Sequence, residues 1–189
     1  MTAAPRRMSV YSELDDANLI EQCTGGVRAA MAELFHRYVN PVHRFVEGLR
    51  GTNSEAVQDL VQQTFIAAFG SISTFRGGSI KPWLFGIALN KTRMYARGEI
   101  RRKRKLTLLA QEPVHDADTR LVNRQQLDDI RRQIAMLTPK LREALVLIDI
   151  EGASGAQAAA LLKIPLGTLW RRVYEARQQL RSLMSGTPS

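Results

Sequence analysis

The sequence contains a single cysteine, Cys23, and little else from which a covalent or metal-bound framework is built. One cysteine excludes an internal disulfide, and a reducing compartment is therefore the natural expectation. The three histidines, His36, His43 and His115, have no cysteine or carboxylate partners at the spacing of a metal site. We therefore expect neither a metal nor any other cofactor.

Long apolar runs are missing as well. Apolar stretches such as residues 83–89 and 144–148 are far too short to span a bilayer. Arg6 and Arg7 are not followed by the apolar segment that a signal peptide requires. Walker loops, GxGxxG motifs and nucleophile elbows are also missing. The sequence therefore predicts a cytoplasmic protein that is not inserted in a membrane and is not an enzyme.

Aromatic residues are scarce, at 6% of the sequence, whereas hydrophobic residues make up 44%. Few runs of β-branched residues occur, so cores of leucine, isoleucine, valine and alanine are expected to form between helices. The length of 189 residues suits one medium domain or two small ones. These features favour an all-α fold.

Negative charge is also in short supply, because 27 Lys and Arg residues face 18 Asp and Glu residues. Residues 101–105 (Arg-Arg-Lys-Arg-Lys) supply more than half of the net charge of +9. Such a block is typical of a solvated linker, and equally of an element that follows the phosphates of a nucleic acid. The charge as a whole favours a polyanionic partner, either nucleic acid or an anionic membrane surface.

Apolar residues recur at steps of three and four along most of the chain, which predicts helices. Residues 98–120 lack this periodicity and include Pro113, so they indicate an exposed connection. We predict two small helical domains joined by a flexible basic linker. The expected divisions are a tail at 1–11, a first domain at 12–98, a linker at 99–120 and a second domain at 121–185.

Residues 154–183 have the outline of a helix-turn-helix. Ser154 and Gln157 fit a capping box at the start of a short helix, which Pro165 separates from a longer one. In the longer helix a narrow apolar seam is predicted at Leu166, Leu169, Val173, Ala176, Leu180 and Leu183. An ordinary helical hairpin with a solvated basic face would show the same pattern.

The face opposite that seam carries Arg171, Tyr174 and Gln178, near the amino-terminal half of the helix. A recognition helix presents such side chains to base edges. Arg172 and Arg177 lie on the flanks of the seam, within reach of phosphates. This helix is therefore predicted to bind DNA.

Several segments, in order, resemble the extracytoplasmic-function (ECF) subfamily of sigma factors. Residues 137–152 (LTPKLREALVLIDIEG), 164–169 (IPLGTL) and 177–180 (RQQL) resemble region 4 of that subfamily. Residues 59–65 (DLVQQTF) resemble region 2.2, and residues 75–79 (FRGGS) and 83–90 (WLFGIALN) resemble regions 2.3 and 2.4. Two motif sets in the family's order, with a linker between them, are more specific than either set alone.

The resemblance implies a subunit that binds core RNA polymerase, directs it to −35 and −10 promoter elements and assists melting. It also implies contacts with the β′ clamp helices and the β flap, a linker that threads toward the RNA exit path, and an anti-sigma factor that clamps the two domains. The implied polymerase-binding residues are Asp59, Gln62, Gln63 and Phe65. Glutamate is common in the family where Gln63 stands, so one salt bridge to the clamp is expected to be missing.

The −10 element is implied to lie against a loop and the helix that follows it. Unpaired bases need a pocket and aromatic planes on which to stack. Phe75 is one candidate, although Phe69, Phe75, Trp83 and Phe85 are favoured as core residues. The implied −10 residues are Ser73, Phe75, Arg76, Asn90, Arg93, Met94 and Arg97. Met94 stands where many relatives carry aspartate.

The −35 element is implied to contact the last helix. The implied residues are Thr168, Trp170, Arg171, Arg172, Tyr174, Glu175 and Arg177. Arg171 has the geometry to bind a guanine, and Glu175 to accept a hydrogen bond from a cytosine. Trp170 and Glu175 depart from the family's commoner basic residues, and Gly155 replaces a usual tyrosine, so an altered −35 preference is expected.

Two other functions remain open at this level. A free-standing helix-turn-helix regulator would bind a duplex without polymerase, usually as a dimer on a palindrome. An interaction protein that has lost DNA reading would only titrate polymerase or a regulator. The segment 59–65 counts against the first of these, whereas Met94, Trp170 and Glu175 leave the second open.

Overall fold

A computed structural model describes residues 10–51, 54–109 and 125–185. Within these ranges every regular element is helical, which confirms the predicted all-α class. Most of the predicted tail and linker, and with them His115, lie outside the described residues. No helix in the described ranges is long and apolar enough to cross a membrane.

Four helices form an amino-terminal bundle. They are α1 (Asp16–Thr24), α2 (Arg28–Arg50), α3 (Ser54–Gly70) and α4 (Ile80–Leu109). Asp15 caps α1 by accepting a 2.8 Å hydrogen bond from the Asn18 backbone. Gly51 ends α2 with a φ of 80°, a conformation that other residues adopt only at a cost in energy.

The core of this bundle lies where α2, α3 and α4 meet. Phe45 of α2 is completely buried and stacks on Phe85 of α4, with ring centroids 4.3 Å apart. Phe35 meets Phe65 edge to face at 4.8 Å. Burying one such ring contributes about 1.5–3 kcal/mol, so these aromatic residues hold the bundle together. Of them, Phe85 was predicted to lie in the core, and it is 3% exposed.

Helix α4 is longer than the sequence suggested. The connection predicted over residues 98–120 is wrong in its first half, because the helix continues to Leu109 and carries the basic block at 101–105. Lysine and arginine have high helix propensity, and this allows a charged segment without an apolar face to remain helical. Pro41 lies inside α2, yet the helix runs without a break from Arg28 to Arg50.

A carboxyl-terminal bundle follows. It comprises α5 (Gln125–Met136), α6 (Pro139–Leu145), α7 (Gly155–Leu162) and α8 (Leu166–Ser185). Helix α6 continues as one π-helical turn over Val146–Ile150. Thr138 occupies the N-cap position of α6, but its side chain makes no capping hydrogen bond.

The two bundles pack directly on each other. Gly48 of α2 faces Val146, and a methyl group at Gly48 would lie only 3.1 Å from Val146 Cγ1. The guanidinium of Arg142 donates hydrogen bonds to carbonyls near the ends of two helices. One is Leu49 of α2, at 2.8 Å, and another is Leu137 after α5, at 2.9 Å. Arg142 therefore joins the ends of two helices that belong to different bundles.

Candidate nucleic-acid interface

The helix-turn-helix is formed by α7, a tight turn and α8. The Ser154 hydroxyl accepts from the Gln157 backbone at 3.3 Å, and the Gln157 side chain accepts from the Ser154 backbone at 3.1 Å. The predicted capping box is therefore confirmed. Because it fixes where α7 begins, it also fixes the angle at which the chain enters the motif.

The turn between the helices has a defined geometry. Lys163 adopts a left-handed conformation with φ 57° and ψ 48°. The Ile164 N–H donates to Ala159 O at 3.1 Å, and the Lys163 N–H donates to Ala160 O at 3.2 Å. These paired bonds form a Schellman motif, after which Pro165 prevents α7 from continuing.

We expect Ser154→Ala to lower the free energy of unfolding by about 1 kcal/mol, because the replacement leaves a backbone N–H of α7 without its acceptor. Urea denaturation followed by circular dichroism measures this change. The matched control is Ser182→Ala, since the exposed Ser182 hydroxyl donates only to Gln179 O, within α8. Equal stability of the two variants would contradict the structural role of the box.

Helix α8 is anchored through one side. Leu169, Val173 and Ala176 are at most 1% exposed, and Leu180 is half-buried, as the predicted seam requires. Leu166 departs from that prediction because 48% of it is exposed. The seam therefore begins at Leu169, and the first turn of α8 leaves its apolar side chain in solvent.

The opposite side of α8 carries the predicted DNA-contacting residues. Arg171 and Tyr174 are among the most exposed, with 73% of the Arg171 side chain and 64% of Tyr174 accessible. Glu175 lies 3.6 Å from Arg171 on the same face, close enough to hold the guanidinium in place. Trp170 is 47% exposed, and Thr168 and Arg172 are half-buried.

Arg177 already has a partner. Its guanidinium donates to both carboxylate oxygens of Asp149, at 3.0 and 2.6 Å. This bidentate pairing raises the pKa of Arg177. Arg177 must therefore leave or share Asp149 if it is to contact a phosphate.

The predicted −10 residues lie on α4 and on the loop before it. Ser73, Arg76, Asn90 and Arg97 are exposed, and 59% of Met94 is accessible. Phe75 is half-buried and meets Trp83 edge to face at 5.5 Å. Phe75 therefore supports the loop through packing, whereas these five exposed side chains are accessible to a partner.

Arg93 is the exception among the −10 residues, because it reaches across to the other bundle. It donates to both oxygens of Glu143, at 2.8 and 2.6 Å. This hydrogen bonding raises the pKa of Arg93. Only 10% of the Glu143 side chain is exposed. A carboxylate this deeply buried requires a nearby cation, and Arg93 supplies it.

Three further polar links cross between the bundles. Lys81 Nζ lies 3.1 Å from Glu151 Oε2, and Arg131 lies 3.4 Å from Glu47. Arg142 makes the third link, and its burial lowers the pKa of its guanidinium. The Lys81 and Arg131 side chains are about a third exposed, and such ion pairs contribute little net stability, so these links are compatible with separation of the bundles.

The predicted polymerase-binding residues lie on α3. Asp59 and Gln62 are exposed, and Gln63 Nε2 donates to Asp59 Oδ2 at 2.7 Å. Phe65 is only 3% exposed and packs inside the bundle. Because it is buried, Phe65 stabilises the packing of α3 and is not accessible for direct contact with a partner. In the described ranges no group of three His, Cys, Asp or Glu residues is placed to hold a metal ion.

Sequence comparisons find two family matches, in the same order along the chain as the two bundles. Residues 34–103 match the family "Sigma-70 region 2", and residues 127–180 match "Sigma-70, region 4". The ECF RNA polymerase sigma factor SigE of Mycolicibacterium smegmatis is 30% identical over 97% of this chain and 77% of its own length. This chain is an ECF sigma factor. The sigma-E factor of Haemophilus influenzae is also 30% identical, over 90% of this chain and 95% of its own.

Two solved structures share the sigma factor's fold. CnrH, in complex with the cytosolic domain of CnrY, matches with a TM-score of 0.71 and 26% identity, over 92% of this chain and 99% of its own. The sigma factor RpoE of Bartonella quintana, in complex with the anti-sigma factor NepR, matches with a TM-score of 0.68 and 26% identity. That match covers 83% of this sigma factor and 98% of RpoE.

Proposed function

We propose that this sigma factor binds core RNA polymerase through α3 and reads a −35 element with α8. The observation that carries the proposal is the exposed face of α8, with Arg171, Trp170 and Tyr174 on a helix anchored through its opposite side. A helix held in this way inserts into the major groove without losing its core contacts. The −10 element lies against α4 and the preceding loop, where Asn90, Arg97 and Met94 offer surface.

The amino-terminal bundle corresponds to region 2 and the carboxyl-terminal bundle to region 4. We keep 12–98 and 121–185 as their proposed extents, and α4 continues beyond the first of these to Leu109. The β′ clamp helices are the proposed partner of α3, and the β flap that of region 4. The sigma factor would act in the cytoplasm, where polymerase and DNA are found, and would contribute no enzymatic step of its own.

The contact between the bundles implies a second state. The −10 and −35 elements lie about 25 base pairs apart, on the order of 80 Å at 3.4 Å per base pair. A compact chain of this length is only about 40 Å across. The bundles must therefore separate before both elements are bound, and Arg93 must exchange Glu143 for DNA.

An anti-sigma factor is the proposed inhibitor, because the similar RpoE structure contains the anti-sigma factor NepR. Such a partner would stabilise the contact between the two bundles, or bind the surfaces that become exposed when the bundles separate.

Run-off transcription with sigma-free core polymerase on a pool of genomic promoters tests the proposal. We expect new transcripts that depend on the added protein and disappear with Arg171→Ala. Duplex binding without polymerase, together with no binding to the core enzyme, would favour a free-standing helix-turn-helix regulator. Binding to core without any transcript would favour a protein that only titrates polymerase.

We expect Asp59→Asn to weaken binding to core polymerase by about fivefold, because an exposed carboxylate no longer faces a basic partner. Titration of fluorescently labelled protein with core enzyme, followed by anisotropy, measures the affinity. Glu55→Gln is the matched control, since Glu55 is an exposed carboxylate one turn earlier on α3. The difference should shrink at higher salt, and equal losses in both variants would contradict a specific role for Asp59.

A further inference from the structure

Gly155 and Trp170 fit together at the junction of α7 and α8. A methyl group at Gly155 would lie 2.8 Å from Trp170 Cζ2 and 3.1 Å from Leu166 Cδ1. Real Cβ atoms essentially never approach so closely, so the indole occupies the space that any larger residue would need. Gly155 does not adopt a positive φ, and the requirement for glycine is therefore one of space.

Packing beside Gly155 buries only part of the Trp170 side chain. Trp170 is 47% exposed, which leaves much of the ring accessible beside Arg171. Leu166, one turn before it, and Tyr174, one turn after it, are 48% and 64% exposed. A row of three large, exposed side chains, spaced four residues apart, therefore runs along one side of a basic helix.

Within the major groove, the apolar group that a base presents is the C5-methyl of thymine. A flat ring held by Gly155 loses little conformational freedom when it contacts such a methyl. Arg171, the next residue on the helix, is suited to a guanine.

We propose that Trp170 reads the methyl group of one thymine in the −35 element, and that Gly155 is the positioning residue that holds the indole in place. This inference rests on the proposed function, because it requires α8 to enter the major groove.

The test begins with −35 duplexes selected from a random pool by the reconstituted holoenzyme. Each thymine of the selected element is then replaced singly by deoxyuridine, which removes only the methyl group. We expect one replacement to weaken the promoter complex by about fourfold, the effect of one buried methyl. With Trp170→Ala the same replacement should have no effect.

Gly155→Ala tests the positioning role while keeping the indole. We expect this variant to lose sensitivity to the methyl group and to retain the guanine preference set by Arg171. Gly98→Ala is the control, because Gly98 is a helical glycine with open space around its Cβ position. Circular dichroism establishes that each variant is folded.

The inference is overturned if no thymine is methyl-sensitive, or if Trp170→Ala keeps that sensitivity. Retained sensitivity in Gly155→Ala would remove the positioning role. Failure of the holoenzyme to select any −35 sequence, despite binding to core, is a different result, because it would refute the proposed function itself.

Discussion

Replacing Arg171 by alanine is expected to reduce initiation at the matching promoter by about 10- to 100-fold. The reason is geometric, since a guanidinium binds guanine O6 and N7 with two parallel hydrogen bonds that alanine cannot replace. In the unbound chain Arg171 is largely exposed, and Glu175 lies 3.6 Å away on the same helix face. Little folded structure depends on Arg171, so the loss should appear in DNA binding and leave stability nearly unchanged.

Arg172→Ala separates base reading from general attraction to DNA. We place Arg172 near the phosphates, so its loss should weaken binding about equally on all sequences and reduce the salt dependence. Arg171→Ala should instead relax the preference at one base pair. Competition binding against duplexes that vary at each −35 position measures both effects. An unchanged base preference in Arg171→Ala would remove Arg171 from the reading surface.

Replacing Glu143 by glutamine is expected to shift the chain toward its open form by about fivefold to tenfold. The change removes the charge that receives two hydrogen bonds from Arg93 across the bundles. Charge-assisted bonds contribute more than neutral ones, although partial exposure of Arg93 reduces the effect. The freed Arg93 becomes available to DNA, so promoter binding should strengthen as the closed form is depleted.

Energy transfer between dyes on α3 and α8 measures the opening directly. The control is Asp16→Asn, because Asp16 pairs with Arg37 at 2.9 Å entirely inside the amino-terminal bundle. That variant should lose stability without a change in the distance between dyes. If Glu143→Gln leaves both the distance and the promoter affinity unchanged, Arg93 is not held back by Glu143.

Much of the helix-turn-helix was predictable because its signals are local. The capping box needs only Ser154 and Gln157, three residues apart, and the seam follows from a step of three or four residues. Leu166, which is 48% exposed, was misassigned to the seam for the same reason. Periodicity shows which side of a helix each residue lies on. It does not show how far along the helix a neighbouring helix covers that side.

The contact between the bundles could not be predicted in this way. Arg93 and Glu143 are 50 residues apart, and no local pattern joins them. The helical path of α4 to Leu109 was missed because a run of cations resembles a solvated linker in composition. Phe65 was assigned to the polymerase surface by resemblance, whereas its burial depends on Phe35, thirty residues earlier.

A substitution at Gly48 is expected to affect the separation of the two bundles differently from the folding of each bundle. A methyl group at Gly48 would lie 3.1 Å from Val146 Cγ1, which is tighter than an ordinary van der Waals contact between the bundles. Within α2 that same methyl favours the helix, since alanine exceeds glycine in helix propensity by up to about 1 kcal/mol. The added carbon atom would therefore favour the helix of one bundle and require the other bundle to shift by a few tenths of an ångström. Clearance at Gly48 therefore contributes to the balance between closed and open forms separately from the stability of either bundle.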